Sequence, residues 1–166
     1  MNINDALIAE LQHEAATTRK CLERVPETTF DWKPHEKSMS MSRLAAHVAE
    51  MVGWIKDTLE TREIDFATMD YKPFVPQTTA ELVEYFEKNL ADATETLKNA
   101  SSETMMENWK MRDGEQVFFD MPRVQVLRGF VFNHLVHHRG QLSVYLRLND
   151  IPVPALYGPS ADEGTM

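Results

Sequence analysis

Only one cysteine occurs in the sequence, Cys21, so no disulfide can form within the chain and the fold must rest on its apolar core. Basic residues are also short, with 17 Lys and Arg against 26 Asp and Glu and a formal charge of −9 at pH 7. A surface of that sign repels phosphate backbones and anionic headgroups, which argues against nucleic acid or a membrane as partner. No apolar run approaches the roughly 18 residues that would suggest a membrane span, and no basic-then-apolar leader opens the chain. The cytoplasm is the expected location. Internal repeats and low-complexity tracts are absent too.

What is there is ordinary globular material. The 166 residues, 43% apolar and 26% charged, are enough for one domain over 1–166 with a core that needs neither clips nor disulfides. Ten methionines are a modest excess, and as adaptable core fillers they call for no chemistry.

Apolar residues recur at helical spacing in four stretches. The first runs from Ile3 through Leu7, Leu11, Ala15 and Leu22 and closes near Pro26. After an aperiodic loop carrying Phe30, Trp32 and Pro34, the second starts behind a Ser40 or Ser42 cap and carries Leu44, Val48, Met51, Ile55 and Leu59 out to about Glu60. A third follows Thr78 and Glu81, which have capping-box spacing, and buries Leu82, Phe86, Leu90, Ala93 and Leu97. The fourth starts near Asp120, with Pro122 in its first turn, and stops before Pro152. Between the third and fourth, loose alternation around Asp113-Gly114 predicts a short β-hairpin on a type I′ turn. Four amphipathic helices hide their stripes most readily as an all-α four-helix bundle.

Six histidines remain to be placed. His134 and His138 are four residues apart, so at about 100° per residue they project from one helix face, the face that carries Leu127, Val131, Leu142 and Tyr145. Imidazoles on an apolar face need partners, and a shared metal satisfies two at once. His47 lies between Leu44 and Met51 on the second helix's apolar stripe and also points inward. Three neutral nitrogens with one position left open is the donor set of catalytic rather than structural zinc, and it suits nickel, cobalt or iron equally. By spacing alone His137 competes with His138, since i+3 also keeps it near His134.

The other groups carry less. His13 falls on a polar helix face and His35 in a loop. Glu10 and His13 make a single Glu-x-x-His step, where a di-iron carboxylate bundle wants two such steps and two further Glu. Cys21 has no His or Asp placed beside it and reads as an inert thiol. Glu50 and Gln141, each about one turn from a histidine of the set, are candidates to orient ligand rings, whereas Arg139 points away from that face toward a carboxylate on a neighbouring helix or the tail.

Two segments carry a resemblance. The stretch FNHLVHHRGQLSVYLRLNDIPVPALYGPSADE, Phe132 to Glu163, resembles the C-terminal signature of the DinB (YfiT-like) family, in which His-x-x-x-His runs into Arg-Gly-Gln-Leu, a Pro-containing turn and a Tyr-Gly, Asp-Glu tail. FDWKPHEKSMSMSRLAAHVAEM is similar to that family's Trp-x-Pro loop before a helix with one histidine. The resemblance implies a four-helix bundle, often dimeric, with a divalent metal, zinc or nickel, on His47, His134 and His138, and it selects His138 over His137. It also implies thiol chemistry, such as S-transfer from a low-molecular-weight thiol to a small electrophile. A metal-dependent hydrolase and a non-enzymatic metal-binding stress-response protein are the alternatives.

Overall fold

A computed structural model describes residues 3–164. The chain is mostly helical with one small three-stranded sheet. Helix α1, Ile3–Leu22, lays Leu7, Leu11, Ala15, Cys21 and Leu22 into the core. A short 3₁₀ turn, Glu27–Thr29, and a loop follow, from which Phe30 and Trp32 pack partly buried against that core.

Helix α2, Met41–Met51, is capped by Ser40, whose hydroxyl accepts from the Arg43 amide at 3.3 Å; Ser42 instead donates its hydroxyl to the Phe30 carbonyl at 2.9 Å. The expected second helix does not run unbroken to Glu60. It stops at Met51, turns at Val52-Gly53, where the Gly53 amide reaches back only to the Glu50 carbonyl at 2.9 Å, and resumes as α3, Trp54–Glu60.

Helix α4, Thr79–Asn99, starts with Thr78 accepting from the Glu81 amide at 3.1 Å, while the Glu81 carboxylate accepts from the Gln77 amide at 2.7 Å rather than from Thr78. Its buried residues include all five apolar positions expected from the sequence. A one-turn helix α5, Ser102–Met106, leads into the hairpin of β2, Asn108–Asp113, and β3, Gln116–Pro122.

The hairpin stands where Asp113-Gly114 places it, with a different turn. Gly114 has φ +56° and Asp113 and Glu115 do not take positive φ, so the left-handed residue is the first of the two loop positions, as in a type II′ rather than a type I′ turn. A third strand, β1, Glu63–Asp65, pairs parallel to β2 with Ile64 opposite Met111, giving the order β1-β2-β3. The fold is therefore not all-α. Beneath the sheet, Ile64, Trp109, Met111 and Val126 form a small second core.

The last helix begins later than expected. Asp120 and Met121 are in β3, held opposite Lys110 and Trp109, and helical backbone starts at Arg123 after Pro122. Helix α6, Arg123–Gln125, passes into a π-helical stretch, Val126–Phe132, and then into α7, Asn133–Leu148. Helix α1 packs on α4 and α7, α2 on α4 and α7, and α3 on α4 and the π-helical stretch. These contacts set α2 beside α7 and so bring His47 toward His134 and His138. Among the described residues, no helix is long and apolar enough to cross a membrane.

Candidate metal centre

His47 comes from the middle of α2 and His134 and His138 from the first turns of α7. Their rings form one cluster, with centroids 5.2 Å apart for His47 and His134, 4.7 Å for His47 and His138, and 4.6 Å for His134 and His138. One ligand nitrogen from each lies within 4.8 Å of the others, so the three can hold a metal ion. Nitrogens sharing one tetrahedral zinc at about 2.0–2.1 Å stand roughly 3.4 Å apart, a spacing that small rotations of the rings would reach.

Two of the rings are held by partners on their own helices. The Gln141 carboxamide oxygen lies 2.7 Å from Nδ1 of His138, and its amide nitrogen lies 3.1 Å from Nε2 of His137. A carboxamide that donates to His137 accepts from His138, which puts the His138 proton on Nδ1 and leaves Nε2 for a metal. His137 is exposed and joins this network from outside the cluster, so the structure separates it from His138 as spacing could not.

Glu50 holds His47 more loosely, with Oε2 at 3.4 Å from Nδ1. That carboxylate also accepts from Arg43 at 3.2 Å, the Tyr71 hydroxyl at 2.9 Å and the Phe74 amide at 3.1 Å. Burial would raise the Glu50 pKa, but its hydrogen bonds and the Arg43 charge outweigh burial and hold it below the usual carboxylate range. Glu50 is thus an anion at neutral pH, suited to orient an imidazole on a cation.

His134 has no such partner. Its Nδ1 is buried without a hydrogen bond, an orphaned polar atom of the kind that a metal ion would satisfy. Burial, reinforced by the neighbouring histidines, pushes its pKa down to about 4, and burial also lowers that of His138. Both rings are therefore neutral near pH 7, the form that binds metal. The orphaned nitrogen, the neutral rings and the two oriented Nδ1 atoms all fit a divalent ion.

The remaining sequence candidates sit elsewhere. His13 and His35 are exposed, and Glu10 pairs with Arg128 at 2.9 Å, away from the cluster. Cys21 is buried, with its thiol pushed up to about 11 by desolvation. Arg139 faces away from the rings, bonded to Glu14 on α1 at 2.6 Å and to Tyr157 in the tail. Sequence reading missed Arg43, Tyr71 and Phe74, which meet Glu50 across separations of 7, 21 and 24 residues, two of them from a loop with no period. It also did not single out Phe130, although its spacing of one turn before His134 puts the two ring centroids 5.1 Å apart.

A family model described as the DinB family matches residues 1–165. Uncharacterized protein YrdA of Bacillus subtilis strain 168 is 26% identical over 163 residues, covering 96% of this chain and 90% of that protein. Among solved structures, a DinB-like protein from Bacillus cereus ATCC 10987 superposes with a TM-score of 0.71 at 20% identity, over 92% of this chain and 97% of that one. The DinB-like protein YjoA of Bacillus subtilis gives a TM-score of 0.67 at 16% identity, over 87% and 92%. At these identities the two structures bear on the fold alone, whereas the family match spans nearly every residue. The chain belongs to the DinB family.

Proposed function

We propose that this protein is a four-helix-bundle enzyme that uses one divalent metal, zinc or nickel, on His47, His134 and His138 to transfer a small thiol onto an electrophile. The observation that carries this reading is the convergence of three imidazoles with no carboxylate among them. Neutral donors leave the full charge of a divalent ion to act on whatever fills its open position, and a thiol is the softest biological group available for it. A bound divalent metal supplies one thing, the lowering of the thiol's pKa so that it reacts as thiolate.

The chain's own residues do the rest. Gln141 and Glu50 hold the Nδ1 protons of His138 and His47, fixing which ring nitrogen faces the ion. The sulfur lone pair then forms the new bond to carbon, the leaving group departs with the electrons of the bond that breaks, and the thiol proton passes to solvent. A homodimer belongs to the same proposal.

Cobalt substitution tests it. Adding a small thiol to the cobalt form should produce a sulfur-to-metal charge-transfer band that is absent in His138→Ala, and the metal-loaded protein should consume thiol with a reactive electrophile faster than the apo protein. If several thiols give neither band nor metal-dependent rate while an ester or amide is cleaved, hydrolysis replaces S-transfer.

A further inference from the structure

Both backbone irregularities beside the histidines place an aromatic ring. The break at Gly53 starts α3 with Trp54, and the π-helical stretch carries Phe130. Such interruptions in helices often mark functional sites. Phe130 lies 5.1 Å from His134 and 5.6 Å from Trp54, with Phe119 of β3 at 5.5 Å from Phe130. The rings continue outward, Trp54 to Phe66 at 6.4 Å and Phe66 to Phe118 at 6.3 Å. Phe66 and Phe118 are 38% and 49% exposed, so the series starts at the histidines and ends in water.

We infer that this wall, Phe130, Trp54, Phe66 and Phe118, is the subsite for a flat aromatic or strongly apolar small molecule, the electrophile of the proposed transfer. The assignment of that molecule as electrophile rests on the transferase reading; the binding itself does not. Three observations favour a small molecule over a protein. The wall is continuous with the metal site, as a substrate subsite must be and a docking surface need not be. Its rings come from four separate segments, α3, the residue after β1, the hairpin and the π-helical stretch, and so shape a concerted surface rather than one element's free face. The two outer rings expose roughly 200 Å² between them, taking about 150–250 Å² for a whole aromatic side chain, against the ~800 Å² per partner of a stable protein interface.

The wall itself is built of rings, so it recognises a ligand by shape and π-stacking, through offset or edge-to-face contact. An acidic protein of charge −9 also disfavours anionic ligands at long range, leaving neutral or cationic aromatic molecules as the class it takes.

Titration with 1,3-dinitrobenzene, a neutral flat quencher without thiol reactivity, tests the inference in apo and metal-loaded protein. Saturable quenching of tryptophan fluorescence is expected with a midpoint below about 1 mM, and Trp54→Phe should remove the quenched component. Phe118→Ala and Phe66→Ala should each raise the midpoint at least fivefold. Both side chains are well exposed, so these variants keep the fold, as their thermal melts would show. Val117→Ala, at the exposed residue next to Phe118 that makes no ring contact, should leave the midpoint unchanged. Linear, collisional quenching, or midpoints indifferent to Phe66 and Phe118, would overturn the inference. So would a Phe118→Ala change that turns a dimer into a monomer without altering quenching, since the wall would then join two copies of this chain. Because no thiol is present, saturable quenching without the cobalt-thiolate band sinks only the transferase reading, and the band without saturable quenching sinks only this one.

Discussion

Arg139 is 1% exposed, and its guanidinium is satisfied by a closed set of partners: the Glu14 carboxylate at 2.6 Å, the Glu14 carbonyl at 3.0 Å, Thr17 at 2.6 Å, Thr18 at 3.1 Å and the Tyr157 hydroxyl. Tyr157 in turn donates to Glu14 at 2.7 Å. Removing one member of a buried pair strands the other charge, so Arg139→Ala should lower stability by about 3–5 kcal/mol in a urea titration. Tyr157→Phe loses two hydrogen bonds, one accepted from Arg139 and one donated to Glu14, and should cost about 2 kcal/mol. Both variants should keep the metal stoichiometry of the parent, because this network lies on the side of α7 away from the histidines. A loss of metal in Tyr157→Phe would mean that the tail supports the site directly. The arginine's direction was readable from helical geometry, since it is one residue beyond His138 and about 100° around the helix. Its partners were not, because the Glu14 and Tyr157 contacts span 125 and 18 residues.

At the scale of elements, the hairpin is held by its turn. Gly114 at φ +56° occupies the left-handed region, where a Cβ costs about 1–2 kcal/mol. Among the described residues, the one atom a Cβ would meet there is the Ala67 Cβ at 3.8 Å, an ordinary contact, so the cost of Gly114→Ala is conformational. Amide exchange should quicken in β2 and β3 while α1 and α4 stay protected; unchanged exchange in the hairpin would contradict this reading of the turn. The elements that the sequence disclosed are those whose signal is local: the stripes of α1 and α4, a serine cap before α2 and the position of the hairpin, though not its turn type. The three-residue β1 was missed because its register comes from a partner 47 residues away, Glu63 against Lys110. The break at Gly53 and the π-helical stretch escaped for another reason. Leu59 before Glu60, and Leu127 and Val131 within the last helix, stay buried across the irregularity, so the apolar pattern hardly changes. The start of the last helix was misplaced because Asp120 and Met121 have no helical or strand signal stronger than the hairpin ladder that claims them.

For the whole molecule, the core and the site are separable. Leu7, Leu11, Leu44, Val48, Phe86, Leu90, Leu97, Leu135, Leu142 and Leu146 form one apolar cluster drawn from all the long helices. The C-terminal tail is tied down independently, Asp162 to Arg147 and to the Val153 amide at 2.8 Å, and Glu163 to Arg24 and to the Ala155 amide at 3.0 Å. The Tyr-Gly and Asp-Glu elements of the family signature are therefore structural in this chain, while its histidines form the candidate metal centre. Chelation should accordingly leave helical content within a few per cent of the metal-loaded value. A collapse of the circular dichroism signal on adding chelator would show that the metal holds the fold and does not merely use it.

The account turns on three histidines binding one ion, and elemental analysis of purified protein tests that most directly. About one divalent metal per chain is expected in the parent and in His137→Ala, whose exposed ring lies edge-on to His138 at 4.8 Å and bonds Gln141 but is outside the three-histidine set. Near zero is expected in His47→Ala and His134→Ala. Two metals per chain, or an equal loss in His137→Ala, would contradict the assignment of His47, His134 and His138 as the metal ligands.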